Sequence, residues 1–182
     1  MCQGEKRIIL CLFMFFVCAH VALPMPVSAY KHWDFRLEEN WTNFIWGDNL
    51  QTLGTVHRTA WSTAIDDWET ATDVSILYSS RSANILESSW VDDESWYGLT
   101  TIEEYYYDAN LDWYITEQFL CELNSATSMS ATVARSVANH EFGHVFGLDH
   151  TTGNVIMNSS RNRNQIYTPQ PDDIAGVEAI YQ

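Results

Sequence analysis

The sequence predicts an α+β domain in which several strands form a sheet and helices pack on it. Two observations predict it. Aromatic and β-branched runs bounded by turn residues recur along the chain, as strands require. Between and after them, apolar residues fall at helical spacing in three windows, giving the order strand, helix, several strands, helix, helix.

The first strand is Trp41 to Trp46, and Gly47-Asp48-Asn49 follows as a turn. From Thr55 to Thr70, Val56, Ala60, Ala64, Ile65 and Trp68 recur at helical spacing, with Asp66, Asp67 and Glu69 towards the end. Val74 to Tyr78 and Ala83 to Glu87 read as the next two strands, and Ser88 to Trp96 as a polar, acidic loop. Tyr97 to Thr101 starts a fourth strand that resumes at Tyr105 to Tyr107. Asp108 to Asp112 is a hairpin-type turn, and Trp113 to Leu123 is the strand after it, whose polarity alternates too poorly to reveal its buried face. Ser128 or Ser130 can cap a helix over Ala131 to Phe146, with Val133, Val137, His140, Glu141, His144 and Val145 on its inner side. An irregular loop leads to a last helix. It begins at Pro171 with Asp172 and Asp173 in its first turn and carries an apolar stripe of Ile174, Val177, Ile180 and Tyr181.

The first 29 residues stand outside this fold. Lys6 and Arg7 precede an almost wholly apolar run from Ile8 to Leu23, and Val27-Ser28-Ala29 offers small residues at a cleavage site. That is the layout of a secretory signal peptide, with Tyr30 as the expected mature start. A membrane anchor would need roughly 20 apolar residues, more than this run supplies. Residues 30–182 then form one domain. Losing one acid and two bases with the leader takes the formal charge from −15 to −16. Such a surface repels nucleic acid and anionic membranes, and it is compatible with bound calcium or cationic substrates as well as with plain solubility. Cys2, Cys11 and Cys18 leave with the leader, so the mature chain holds Cys121 alone and forms no internal disulfide. Cys121 sits in an apolar strand and reads as a small core residue.

The chemistry concentrates in His140-Glu141-Phe142-Gly143-His144-Val145-Phe146-Gly147-Leu148-Asp149-His150, the pattern H-E-x-x-H-x-x-G-x-x-H. On a helix, His140 and His144 project from one face. Glu141 lies beside that face and can reach a water held there. Gly147 can take a positive φ and turn the chain so that His150 becomes a third ligand. Three imidazoles leave the fourth tetrahedral position of a catalytic zinc open. A lone histidine is more often an ordinary surface or core residue, which is the reading for His32 and His57. Met157 by itself would be core filler. Asp108, Asn110 and Asp112 have a calcium-like spacing but lack the glycine and terminal glutamate of an EF-hand loop, which favours the turn.

These residues resemble the metzincin clan of zinc endopeptidases and, within it, the matrixins. The match rests on His140 to His150 with Gly147 at the turn, Thr151 after the last histidine, Val155-Ile156-Met157 as a Met-turn, and Asp172-Asp173-Ile174-Ala175-Gly176-Val177 with Tyr181. It is strong over residues 131–181 and looser over 41–123, where Ala83-Asn84-Ile85 is similar to an A-D-I strand, and no match is evident over 30–40. The resemblance implies a zincin-like catalytic domain with a twisted, mixed five-stranded sheet, three helices and an active-site cleft. It implies one catalytic Zn2+ held by His140, His144 and His150, Glu141 as general base, Met157 as a hydrophobic floor and Asp173 tying the last helix to the Met-turn. It also implies a secreted, monomeric endopeptidase acting on proteins or peptides, without nucleic acid or stable membrane association after signal cleavage. An extended substrate would add to a sheet edge, for which Tyr97 to Tyr107 is the candidate.

The departures are a missing cysteine switch, a missing second-zinc cluster, and Asn158-Ser159-Ser160-Arg161 where a P-x-Y usually shapes the specificity pocket wall. The alternative is a secreted binding module that keeps its zinc site without proteolysis, using the eight tryptophans and nine tyrosines to hold carbohydrate or a cell surface. Core packing is the plainer use of Trp61, Trp68 and the strand aromatics. Glu141 separates the two classes, since a scaffold without activity has no need of a carboxylate there.

Overall fold

The computed structural model describes residues 30–50, 55–92 and 96–182. The signal-peptide reading of residues 1–29, and Asp93 and Glu94 of the acidic loop, lie outside them. The elements are β1 (Lys31–His32), β2 (Phe35–Arg36), β3 (Trp41–Trp46), a 3-10 turn (Asp48–Leu50), α1 (Val56–Ala71), β4 (Ser75–Tyr78), β5 (Ile85–Ser89), β6 (Gly98–Asp108), β7 (Trp113–Asn124), α2 (Ala131–Val145), β8 (Leu148–Asp149) and α3 (Pro171–Ile180). Among the described residues, no helix is long and apolar enough to cross a membrane.

The main sheet runs β4-β3-β5-β7-β6, parallel except for β6, which is antiparallel to β7. It holds six strands rather than the expected five. The cause is the length of β7: β5 covers Leu120 to Asn124, and the backbone ahead of it takes a second partner, with Phe35 and Arg36 pairing parallel to Tyr114 and Ile115. A separate ribbon pairs β1 with β8. None of these two-residue strands is signalled by local sequence.

The expected break in the fourth strand is a bulge. Its register shifts on both sides of Glu104, while pairing with β7 continues from Gly98 to Asp108. On β7 the buried face carries Ile115, Phe119, Cys121 and Leu123. Pairing of the Asp108–Asp112 loop is that of a turn. Asp108 Oδ1 accepts the N–H groups of Asn110 and Leu111, and Asp112 has φ 59°.

Helix α1 starts at Thr55, whose hydroxyl accepts the Arg58 N–H, and it buries Ala60, Trp61, Ala64 and Trp68. Val56, expected on that stripe, is exposed because it precedes the first packed turn. Trp61 meets Phe142 edge-on at 5.3 Å and Trp68 meets Phe146 at 5.5 Å, so α1 is keyed to α2. Both indole N–H groups are satisfied, by Glu87 O and Asn139 O. Asp67 adds a paired contact to Arg135 and accepts from Asn139 Nδ2 at 2.7 Å.

Helix α2 is buried on nearly every side from Ser136 to Gly143, not on one stripe, and Val133 lies only at the edge of the core. The small residues Ala134, Ser136, Ala138 and Gly143 let neighbouring elements approach it this closely. The strand aromatics divide: Phe44, Trp46 and Phe119 join the core as expected, whereas the tyrosines of β6 do not. Tyr105, Tyr106 and Tyr107 are exposed, and Tyr105 and Tyr107 pack edgewise or tilted on Tyr114.

Candidate metal centre

Helix α2 sets His140 and His144 one turn apart. The chain then leaves the helix through Gly147 at φ 96°, where a Cβ would come within 2.8 Å of the Phe35 carbonyl. Trp33 N–H donates to Gly147 O at 2.6 Å, and β1 pairs with β8, so the turn is held from outside. His150 follows directly after β8. Among the described residues, His140, His144 and His150 form the cluster whose ligand atoms all lie within 4.8 Å of one another.

The rings are oriented by backbone. His140 Nδ1 lies 2.7 Å from Ile156 O and His144 Nδ1 lies 2.9 Å from Leu148 O, so each carries its proton on Nδ1 and turns Nε2 inward. His140 Nε2 and His144 Nε2 stand 3.0 and 3.2 Å from His150 Nε2. Ligands on a tetrahedron with bonds of about 2.1 Å are about 3.4 Å apart, so the three lone pairs fit one zinc-sized cation. Burial, then the Arg161 charge, holds His140 well below its usual range, and burial pulls His144 down to about 4. Both rings are therefore neutral and able to bind a metal near neutral pH.

Glu141 is 4% exposed. Burial pushes its carboxyl up to about 7, opposed by a hydrogen bond from Thr100 and the charges of Arg161 and Arg163. Gly98 on β6 leaves room for it, since a Cβ there would lie 2.8 Å from Glu141 Oε1. Met157 is buried against α2, where a Cβ at Gly143 would collide with its sulfur. Asp173 Oδ2 accepts the N–H groups of Ile156 and Gln170, each at 2.8 Å, and Oδ1 accepts Met157 N–H at 3.2 Å. One carboxylate thus joins the start of α3 to the turn under the histidines.

The cluster opens into a pocket of about 460 Å3 that reaches from Trp33 to Arg163 under β6. Four of its residues carry no local signal in the sequence: Trp33, whose ring lies 5.3 Å from His144, together with Gly98, Thr100 and Arg163; Arg161 showed only as a departure from a motif. Each is brought in by another element. Cys121 is fully buried, and burial raises its thiol further from ionisation, which leaves it inert. His57 bonds Ser88 Oγ at 2.6 Å and His32 lies at the surface, both apart from the cluster.

A sequence model of matrixins, a peptidase family, matches residues 17–182. No curated protein matches significantly. A solved structure described as the GM1-bound form of the ECX AB5 holotoxin is similar at 14% identity and TM-score 0.58, covering 85% of this chain and 87% of that one. At that identity the likeness concerns the fold alone.

Proposed function

The chain belongs to the matrixin family of peptidases, and from that premise we propose that it is a secreted, zinc-dependent endopeptidase with Glu141 as its general base. The observation that carries this reading is the convergence of three inward-facing Nε2 atoms at 3.0–3.2 Å beside a buried carboxylate, in an open pocket. His140, His144 and His150 would hold the zinc. When bound, zinc supplies Lewis acidity for the substrate carbonyl and brings the pKa of water to about 7. Glu141 takes the proton of the attacking water and passes it to the leaving amine. Its raised proton affinity suits both halves of that transfer.

The substrate would lie extended along β6. Among the described residues β6 pairs with β7 alone, so its other edge has backbone groups free for a peptide. Secretion rests on the leader: Lys6 and Arg7, the apolar run from Ile8 to Leu23, and the small residues Val27-Ser28-Ala29 ahead of Tyr30. The chain purified after export therefore begins at Tyr30, a point that N-terminal sequencing settles.

The test is digestion of casein by residues 30–182 with metal content measured on the same sample. Cleavage lost to a chelator and restored by zinc, at about one zinc per chain, supports the reading. Absence of bound zinc after reconstitution refutes it.

A further inference from the structure

The pocket beside the histidines carries two arginines on one wall, with Glu141 and Asp149 as its carboxylates, in a chain whose formal charge is −15. Arg161 and Arg163 both line it. Arg161 is 6% exposed, and its hydrogen bonds to oxygen go to neutral acceptors: Nε to Ser136 Oγ at 3.0 Å, one terminal nitrogen to Ser136 O at 2.6 Å, and the other to Asn158 O at 3.2 Å. That last nitrogen also stands 3.1 Å from His140 Nδ1, which already donates to Ile156 O. Among the described residues no carboxylate lies within ion-pair distance of Arg161. Burial pulls its guanidinium down to about 10, which still leaves it charged.

Arg163 stands beside it with its guanidinium carbon 4.5 Å from the Tyr97 ring centre. It donates to Ser159 O at 3.1 Å, and its Nε is buried without a partner. A guanidinium withdrawn from water without a counter-charge is costly. Arg161 is withdrawn from water and Arg163 is half-buried with an unmatched donor; Glu141 acts on both only through space, and among the described residues neither has a carboxylate at ion-pair distance, the group that a guanidinium fork fits best. The wall has a definite place. Arg161 lies between Ser136 and His140 on α2, and Val137 and Gly98 continue the lining to Glu141. A side chain seated there belongs to a residue adjoining the bond that Glu141 serves.

We propose that Arg161 and Arg163 form a specificity subsite for an acidic side chain, Asp or Glu, next to the scissile bond. The proposal names the substrate class of the endopeptidase reading and rests on it.

The test uses matched peptides, blocked at both ends, that differ only by Glu or Gln at the positions flanking the cleaved bond. Cleavage is read with the wild-type chain, and binding with Glu141→Ala. The expected result is at least a tenfold higher kcat/KM for one Glu peptide and at least fivefold tighter binding of it. That preference should narrow several-fold in Arg163→Gln and vanish in Arg161→Met. Arg163 lies nearer the surface, so its variant keeps the test valid if Arg161→Met fails to fold. Cleavage of Glu and Gln peptides at equal rates overturns the subsite while leaving the endopeptidase standing. Selective binding of the Glu peptide, removed by Arg163→Gln but without cleavage by the wild type, upholds the subsite and refutes the endopeptidase. A preference that survives both substitutions overturns the assignment to these arginines.

Discussion

The hydroxyl of Thr100 on β6 lies 2.9 Å from Oε2 of Glu141 on α2, which ties the sheet edge to the carboxylate in the pocket. The same oxygen sits 3.1 Å from the Glu141 carbonyl. A strand therefore sets the position of a helix side chain, and its hydrogen bond favours the ionised form against the burial that raises it. Thr100→Val removes this donor with little change of shape. A hydrogen bond to a charged group is worth about 1.5–3 kcal/mol, so kcat/KM should fall roughly 10- to 100-fold. The acid limb of the pH profile should move to higher pH, because the carboxylate loses support. Thr100→Ser should restore both. A loss of activity without movement of the limb would assign Thr100 to packing alone.

Asp173 is the joint between α3 and the turn that carries Met157. Asp173→Ala leaves three backbone N–H groups without their acceptor in a buried place. The expected loss is roughly 3 kcal/mol of stability, read as a lower Tm, with weaker zinc binding as the turn under the histidines loosens. An unchanged Tm would contradict the role given to this carboxylate.

Gly147 has a turn that other residues resist. Gly147→Ala places a Cβ at φ 96° and 2.8 Å from Phe35 O. Strain of this kind costs on the order of 1–3 kcal/mol. The variant should unfold at lower temperature and bind zinc less tightly, since His150 depends on the turn. Equal zinc affinity by competition with a chelator would show that His150 is placed by other contacts.

Without metal, the proton on Glu141 links stability to pH. Its carboxyl titrates at about 7 in the fold against a usual 4.5, so between these values the folded chain keeps a proton that the unfolded chain has released. This raised value lowers stability as pH rises through the window. Glu141→Gln removes the effect. The metal-free variant should therefore gain on the metal-free wild type between pH 4.5 and 7, by up to a few kcal/mol. Parallel stability curves for the two chains would contradict the burial argument.

The parts of the site readable from sequence were those confined to one element. His140, Glu141 and His144 share a helix, and the glycine after it marks a turn whose φ the structure shows to be positive. The principal strands and helices were readable too, to within a few residues, because each carries its own periodicity. What was hidden depends on pairing across the chain. The strands at Phe35–Arg36 and Leu148–Asp149 exist through β7 and β1, and two residues carry no pattern. Thr100 and Gly98 look like ordinary strand residues until β6 is laid over α2. Arg161 was visible as a departure from a motif, but its burial between Ser136 and His140 was not. The break expected in the fourth strand was a bulge, which sequence periodicity registers as an interruption.

Zinc content and proteolysis, measured together in Glu141→Ala, separate metal binding from proton transfer. On the proposed reading the three histidines hold the metal without help from Glu141, while proton transfer needs it. The variant should hold about one zinc per chain, as in the wild type, with casein cleavage lowered by a factor of 1,000 or more, in the range seen when an essential proton-transfer group is removed. Zinc retained with wild-type cleavage would contradict the role proposed for Glu141.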